Sequence, residues 1–396
     1  MVASPKNPII RTVTLGLADA HPLTAKHIQQ ASALLREVEA RLTEAGYELQ
    51  TLRLSTRSLW DDLVSWSAME IQQYIQELQG ILDEQNLAYC SLGTAQVTRP
   101  DFPLARLDIL ADILLPAPAL SATIQLATLQ HGLRAQAALP TAHIIKRLAS
   151  ESEEGFGNFR FAMLACVEPG SPFFPAAYHE GTSSLSVGLQ GVSIVTEALQ
   201  QLRSQQAGPL DLTLVSETLK AALQAQARPV VEAVSHLAEA YGVRFGGIDL
   251  SPAPMGEESI AAAMELCGYG PLGSPGTLAV AAALTAALKG TDLPTCGYNG
   301  LMLPVLEDRL LGQRWAERRV NAHQLLLYST VCGTGLDTVP LPGDCSVEEI
   351  AALLLDVATL ALRLRKPLSA RLFPVPGRQA GESTTFSSPY LTNTLV

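Results

Sequence analysis

Aromatic residues, basic clusters, paired cysteines and long apolar runs are all scarce in this chain, and each scarcity removes a class of function. Only 5% of the 396 residues are aromatic, although 47% are hydrophobic, so the interior has to be aliphatic and rich in alanine. The net charge is −11 and no basic cluster stands against it. Nucleic acid and anionic membranes are therefore poor partners, because lysine and arginine must neutralise their phosphates. The six cysteines lie at 90, 166, 267, 296, 332 and 345, with no C-x-x-C and no histidine at ligand spacing. That argues against a structural zinc site and a disulfide framework, and it fits a reducing cytoplasm. No run approaches eighteen apolar residues and no apolar stretch follows the first residues, so neither a membrane span nor a signal peptide is expected. The motifs G-x-G-x-x-G, Walker A, H-E-x-x-H and G-x-S-x-G are also missing, which leaves no familiar nucleotide, protease or hydrolase signature.

What is present is a rhythm of strands and helices. Ile9–Leu17 alternates as a strand, and Ile28, Ala31, Leu34, Leu35, Val38 and Leu42 follow at helical spacing. Strands at Tyr47–Leu54 and Leu87–Leu92 flank a helix from Ile71, and Ala119–Leu126 offers a fourth strand. Such alternation is the mark of βαβ units and predicts a parallel sheet. Ser150–Gly157 reads as an acidic surface loop and is the best candidate for an internal boundary. Phe159–Val167 and Leu185–Leu189 continue the strands. The stretch from 212 to 241 is helical, with Pro229 expected to kink or break it. Gly242–Pro254 then supplies a short apolar strand carrying one carboxylate, Asp249, and ends in two prolines. Helices are expected at Glu257–Leu266, Thr277–Leu288 and Val347–Leu364, and strands at Leu336–Leu341 and Leu368–Val375. Periodicity does not decide between helix and strand for 325–332, and 296–305 reads as a strand or an internal hairpin. The polar tail after Gly377 is expected to lie against the body.

Several polar residues fall where sheets of this kind place their sites, just past strand ends. Asp249 and Asp337 are carboxylates in otherwise apolar strands, suited to acid–base work or to a cation, with a loop-pinning or capping role as the alternative for Asp249. Cys332, beside Gly333, Thr334 and Gly335, is a candidate nucleophile or a buried inert thiol, and the two glycines leave room for a ligand against the backbone. His179 is a candidate proton shuttle or a structural histidine. Arg371 needs an anionic partner, and Asp249 or Asp337 would serve; a carboxylate clamp on a substrate is the other reading. Ser251, Gly276 and Thr277 complete the candidate ligand contacts, the last two because amides opening a helix receive anions. Carboxylates are available for a metal, but ligand spacing is not, so no metal and no cofactor is assigned.

Seven segments occur in a recognisable order. They are Arg-Thr-Val-Thr-Leu-Gly-Leu from Arg11, Pro-Phe-Phe-Pro-Ala-Ala-Tyr-His from Pro172 and Ser-Val-Gly-Leu-Gln-Gly from Ser186. Phe-Gly-Gly-Ile-Asp-Leu-Ser-Pro-Ala-Pro from Phe245 and Gly-Ser-Pro-Gly-Thr from Gly273 follow. Cys-Gly-Thr-Gly-Leu-Asp from Cys332 and Arg-Leu-Phe-Pro-Val-Pro-Gly from Arg371 close the set. In these the chain resembles the domain-of-unknown-function 711 family, also called uncharacterised protein family 0210. The resemblance implies a single ten-stranded α/β barrel over 1–396, similar to the glycyl radical enzymes, with a loop inserted into the barrel and helices outside. It also implies a homodimer. It supplies no reaction. The Arg-Val-x-Gly-aromatic segment of the glycyl radical enzymes is missing, so their radical chemistry is not expected. Where family members carry Cys-Ser-Ser-Val-Asn-Ile-Gly and Gly-Ile-Asn-Met, this chain has Leu-Ser-Ala-Thr-Ile-Gln-Leu from Leu120 and His131-Gly132-Leu133-Arg134.

The combined expectation is an enzyme acting on a small anionic or polar molecule inside the barrel, lined by Asp249, Asp337, Cys332, His179 and Arg371. The alternative is a non-catalytic homodimer that binds or senses a metabolite.

Overall fold

The computed structural model describes residues 7–396. Ten strands form one sheet: β1 (Ile10–Gly16), β2 (Leu49–Ser55), β3 (Cys90–Ala95), β4 (Leu120–Thr128), β5 (Gly132–Leu133), β6 (Phe161–Ala165), β7 (Ser184–Leu189), β8 (Arg244–Asp249), β9 (Gly335–Pro342) and β10 (Leu368–Val375). Their order is β8-β7-β1-β2-β3-β4-β6-β10-β9, with β5 an antiparallel addition to β4. β1, β2, β3, β4 and β6 are mutually parallel, as the alternating pattern predicts. The sheet as a whole is mixed, however. β7 pairs antiparallel with β1, and β10 pairs antiparallel with β6. The reversal lies in residues 166–183, which lead from β6 to β7 without a crossover helix and turn the chain round, so that β7–β10 run against the five parallel strands.

The expected closed barrel is not formed. β8 and β9 end the ladder, and residues 294–306 lie between them without strand structure. Their backbone touches each edge through isolated bridges, Thr295 to Ile248 and Pro304 to Asp337. Composition explains this. Pro294 and Pro304 cannot donate to a ladder, and Gly297 and Asn299 hold positive φ. One carboxylate fixes the segment. Asp249 is fully buried, and its Oδ1 accepts from Ser251 N at 3.0 Å, Ser251 Oγ at 2.7 Å and Asn299 N at 3.1 Å. Its Oδ2 accepts from Tyr298 N at 2.8 Å. A Cβ at position 297 would sit 2.2 Å from Oδ2, so glycine is required there.

Outward side chains of the strands, such as Val13, Leu15, Leu54 and Ile124, join the helices in one large aliphatic core. Burial of these side chains is the dominant favourable term in folding. The helices begin at side-chain caps: Thr24 for Ala25–Glu44, Ser67 with Glu70 for Ala68–Glu84 and Ser346 with Glu349 for Val347–Leu364. Leu212–Ala240 runs unbroken through Pro229, contrary to the break allowed for it. Ala322–Ser329 is a helix, capped by the Asn321 side chain on Gln324 N, which settles what periodicity left open. Inward strand positions are different in kind. Thr12, Thr14, Ser91, Thr123, Gln125 and Ser186 are buried and polar. The connection 166–183 crosses this inner face, with Pro172 O accepting from Thr14 Oγ1 at 2.8 Å and Val167 O from Gln125 Nε2 at 2.6 Å. Residues 153–160 form 3-10 turns against the neighbouring helix Ala138–Glu151 and β10, and the tail folds back so that Phe386 and Leu391 are buried with Phe159 and Phe373.

Asp249→Ala would leave several buried donors without an acceptor, each costing about 1–3 kcal/mol. We expect a lower urea midpoint and melting temperature, equivalent to a loss of about 3 kcal/mol or more, measured by circular dichroism; an unchanged midpoint would show that the carboxylate does not hold the segment.

Candidate functional site

A cavity of about 350 Å³ lies on the inner face, within the size range of small-ligand sites. Its walls come from distant parts of the chain: Arg11 of β1, Arg53 of β2, the crossing segment Phe173–Ala176, Tyr298–Glu307, Asp337 of β9, Arg371 of β10 and Tyr390 of the tail.

Two irregularities in strand pairing aim charged side chains into it. Between Ile10 and Thr12 the β1–β7 register slips, so that Arg11 is the extra residue of a bulge. Ile10 and Val13 therefore both face the outer core while Arg11 faces the cavity. Between β9 and β10, Asp337 and Thr338 together stand opposite the single Arg371. Asp337 thereby reaches Arg371, whose Nε donates to Asp337 Oδ1 at 2.7 Å while Nη2 donates to Glu307 Oε1. Burial works against the Arg371 charge, but Asp337 and Glu307 more than offset it and hold the guanidinium above its ordinary value. Burial pushes the Glu307 carboxyl up, with Arg371 opposing.

Arg53 has no such partner. Its side chain is 7% exposed, and its one hydrogen bond among the described residues runs from Nε to Thr51 Oγ1 at 3.0 Å. The guanidinium carbon lies 5.1 Å from the Tyr89 ring centre and 5.9 Å from that of Phe174, so cation–π attraction replaces part of its lost hydration. Burial, and then Arg11, pull its proton affinity below the ordinary value. Arg11 itself bonds neutral groups, Gln50 Oε1 at 3.2 Å and Gln190 Oε1 at 3.1 Å. Among the described residues, three guanidiniums thus face two carboxylates in the lining. Tyr298 adds a buried hydroxyl that lies towards the Ser369 side chain and makes no close hydrogen bond among the described residues.

Of the residues singled out from the sequence, Asp337 and Arg371 meet in this cavity. Asp249 and Ser251 lie outside its lining, engaged with the backbone of 297–300; Ser251 Oγ also accepts from Gly300 N at 3.0 Å. Cys332 is buried away from the lining, and burial pushes its thiol up to about 11. Gly333 and Gly300 press backbone to backbone, where a Cβ on either would come within 2.4 Å of the other's Cα. Gly335 lies against the Ser369 carbonyl. His179 packs on Gly16, its N donating to Thr56 O at 2.9 Å and its Nε2 lying 3.0 Å from Thr182 O. Gly276 opens the helix Thr277–Lys289, and Thr277 Oγ1 accepts from Gly273 N at 3.1 Å, apart from the cavity. Arg11, Arg53, Glu307 and Tyr298 went unread; the available signal was an arginine inside each of the first two strands. Among the described residues no group of three or more His, Cys, Asp or Glu is placed to hold a metal ion, and no helix is long and apolar enough to cross a membrane.

The family model described as Uncharacterised ACR (DUF711) matches residues 1–387. A UPF0210 protein of Pyrobaculum aerophilum is 30% identical over 374 residues, which cover 91% of this chain and 80% of that protein. One from Methanopyrus kandleri is 29% identical over 407 residues, covering 95% and 88%. Among solved structures, the anaerobic ribonucleotide reductase from Thermotoga maritima in complex with dATP and CTP aligns over 91% of this chain and 75% of its own, with 10% identity and a TM-score of 0.46.

Away from the cavity lining a second buried histidine, His21, is held between Tyr74 Oη at 2.7 Å and Thr56 Oγ1 at 2.9 Å. Burial lowers its pKa from 6.5 to about 4. The unfolded chain therefore binds a proton below pH 6.5 that the folded chain refuses, so stability is full above pH 6.5 and falls as the pH drops towards 4. The loss through His21 amounts to about 3 kcal/mol. Urea melts across pH 4–7 check this: His21→Gln should flatten that part of the profile, and an unchanged slope would remove His21 as its cause.

Proposed function

We propose, for a chain that belongs to the uncharacterised DUF711 family, that the cavity binds a small organic anion. The observation that carries this reading is Arg53: a buried guanidinium with free terminal nitrogens and no carboxylate within ion-pair distance among the described residues. A buried charge without a partner is unfavourable, and an incoming carboxylate or phosphate would satisfy it. Arg11 adds a second cation in the same lining, while Tyr89, Phe159, Phe174 and Tyr390 offer an apolar wall to the rest of the ligand. Arg371 is already matched by Glu307 and Asp337, so it serves the architecture of the cavity while Arg53 and Arg11 take the anion. The mixed lining favours an organic anion over a bare inorganic one. Lys and Arg clusters on the surface are not needed, because the charge is inside.

Isothermal titration calorimetry with acetate, malonate, 2-oxoglutarate and inorganic phosphate tests this, with glycerol as the neutral control. At least one carboxylate should bind and raise the melting temperature. Arg53→Gln should weaken that binding about 10–100-fold, as expected for loss of hydrogen bonds to a charged group. Tighter binding of phosphate than of every carboxylate would reassign the ligand class, and equal affinity in the variant would overturn the role of Arg53.

A further inference from the structure

We infer that the anion is a 2-oxo acid or a similar carboxylate with an acidic C–H, and that Glu307 moves that proton. This rests on the anion-binding reading above and gives the cavity a reaction.

Glu307 sits on a fixed stretch of backbone. On one side Val305 N donates to Asp337 O at 3.1 Å; on the other Asp308 is fully buried and caps the helix Arg309–Ala316 through Leu311 N at 3.0 Å. The Glu307 side chain is nine-tenths buried and lines the cavity. Arg371 engages Oε1, while Oε2 accepts no hydrogen bond among the described residues. One committed oxygen sets the orientation of the carboxylate, and the other is left for a ligand. Tyr298, carried on the same segment, brings a hydroxyl with no close hydrogen bond among the described residues to the same space, and burial keeps that phenol protonated and able to donate. Among the described residues the lining contains no histidine and no cysteine, so a base-activated thiol or a serine–histidine pair is not what this cavity offers. Its titratable groups are carboxylates and phenols beside guanidiniums, the equipment of proton transfer next to a carbonyl.

The step balances without a co-reactant. Glu307 Oε2 takes the proton from the carbon beside the ketone, and the C–H electron pair becomes the second bond between that carbon and the carbonyl carbon. The carbonyl oxygen receives the charge and a hydrogen bond from Tyr298, while Arg53 and Arg11 hold the carboxylate. Return of the proton from the Glu307 carboxyl to carbon restores the ketone. The enolate is the species the donors stabilise most, because its oxygen carries the larger charge.

Exchange of carbon-bound hydrogen for solvent deuterium reads this step directly. Pyruvate, 2-oxobutyrate and 2-oxoglutarate are incubated with the full chain in deuterium oxide, and loss of the C3 proton signal is followed by NMR. At least one acid should exchange faster than in buffer. Glu307→Gln should slow the exchange about 100-fold or more while its calorimetric affinity for the same acid changes only a few-fold; Tyr298→Phe should slow it about 10-fold. Binding without exchange above the buffer rate overturns the inference and leaves the anion reading standing, as does wild-type exchange in Glu307→Gln. If phosphate or malonate binds and none of the three acids does, the substrate class is wrong and the inference fails alone. No anion binding at all removes both. Should Glu307→Gln fail to fold, unchanged exchange in Tyr298→Phe overturns the step.

Discussion

The Asp249 carboxylate is the constraint on which the inner face depends. A carboxylate buried among apolar strands is expensive unless donors surround it, and four donors do so, two of them backbone amides from residues 298 and 299. By binding those amides it fixes the segment between β8 and β9, where the ladder is left open. That segment delivers Tyr298, Met302, Pro304 and Glu307 to the cavity wall. Asp249 therefore shapes the site without lining it. The same economy recurs at Asp308, which accepts from Ser259 Oγ, Leu311 N and Ala261 N and so joins two short helices just beyond Glu307.

Charge is distributed unevenly over the inner face. On the β9–β10 side Arg371 is saturated by two carboxylates, whereas on the β1–β2 side the side chains of Arg11 and Arg53 hydrogen-bond only neutral groups among the described residues. A cavity with this polarity would orient a bound anion rather than merely attract it. Both charged walls depend on register slips, and a strand that kept strict alternation at residues 10–13 would turn Arg11 towards the helices.

Much of the fold was legible in the sequence, because period-2 and period-3.6 patterns report which face is buried. β1, β8 and β10 and the helix Val347–Leu364 lie close to where their patterns put them. Ten strands also agree with the number the family resemblance implies. Closure was not legible, since it depends on whether residues 294–306 pair along their length, and prolines and positive-φ residues there decide against it. Chain direction was legible in half: the strand–helix rhythm predicts the parallel pairing of β1–β4 and β6, but not the return across residues 166–183 that sets β7 and β10 antiparallel to them. The site was legible only in part. Asp337 and Arg371 stood out as charges in apolar strands, and their pairing was one of two options considered. Asp249 stood out equally, but its partners are main-chain amides, which no sequence pattern displays. Arg11 and Arg53 carry no distinguishing sequence signal beyond an arginine inside each strand, because a bulge and a polar inner face become visible only when the strands are paired.

The walls of the cavity begin at Arg11 and end at Tyr390, so almost the whole chain must be in place before the cavity exists. β1 has β2 close by in the chain, but its other neighbour, β7, starts at Ser184, and the partner of β6 across the reversal starts at Leu368. Contacts so remote in sequence are slow to form. During synthesis the parallel strands of the first half would wait, with Arg11 and Arg53 still hydrated, until the later strands arrive to bury them. Their dehydration would thus come late in folding, and a molecule that satisfies them would favour the finished form over every incomplete one.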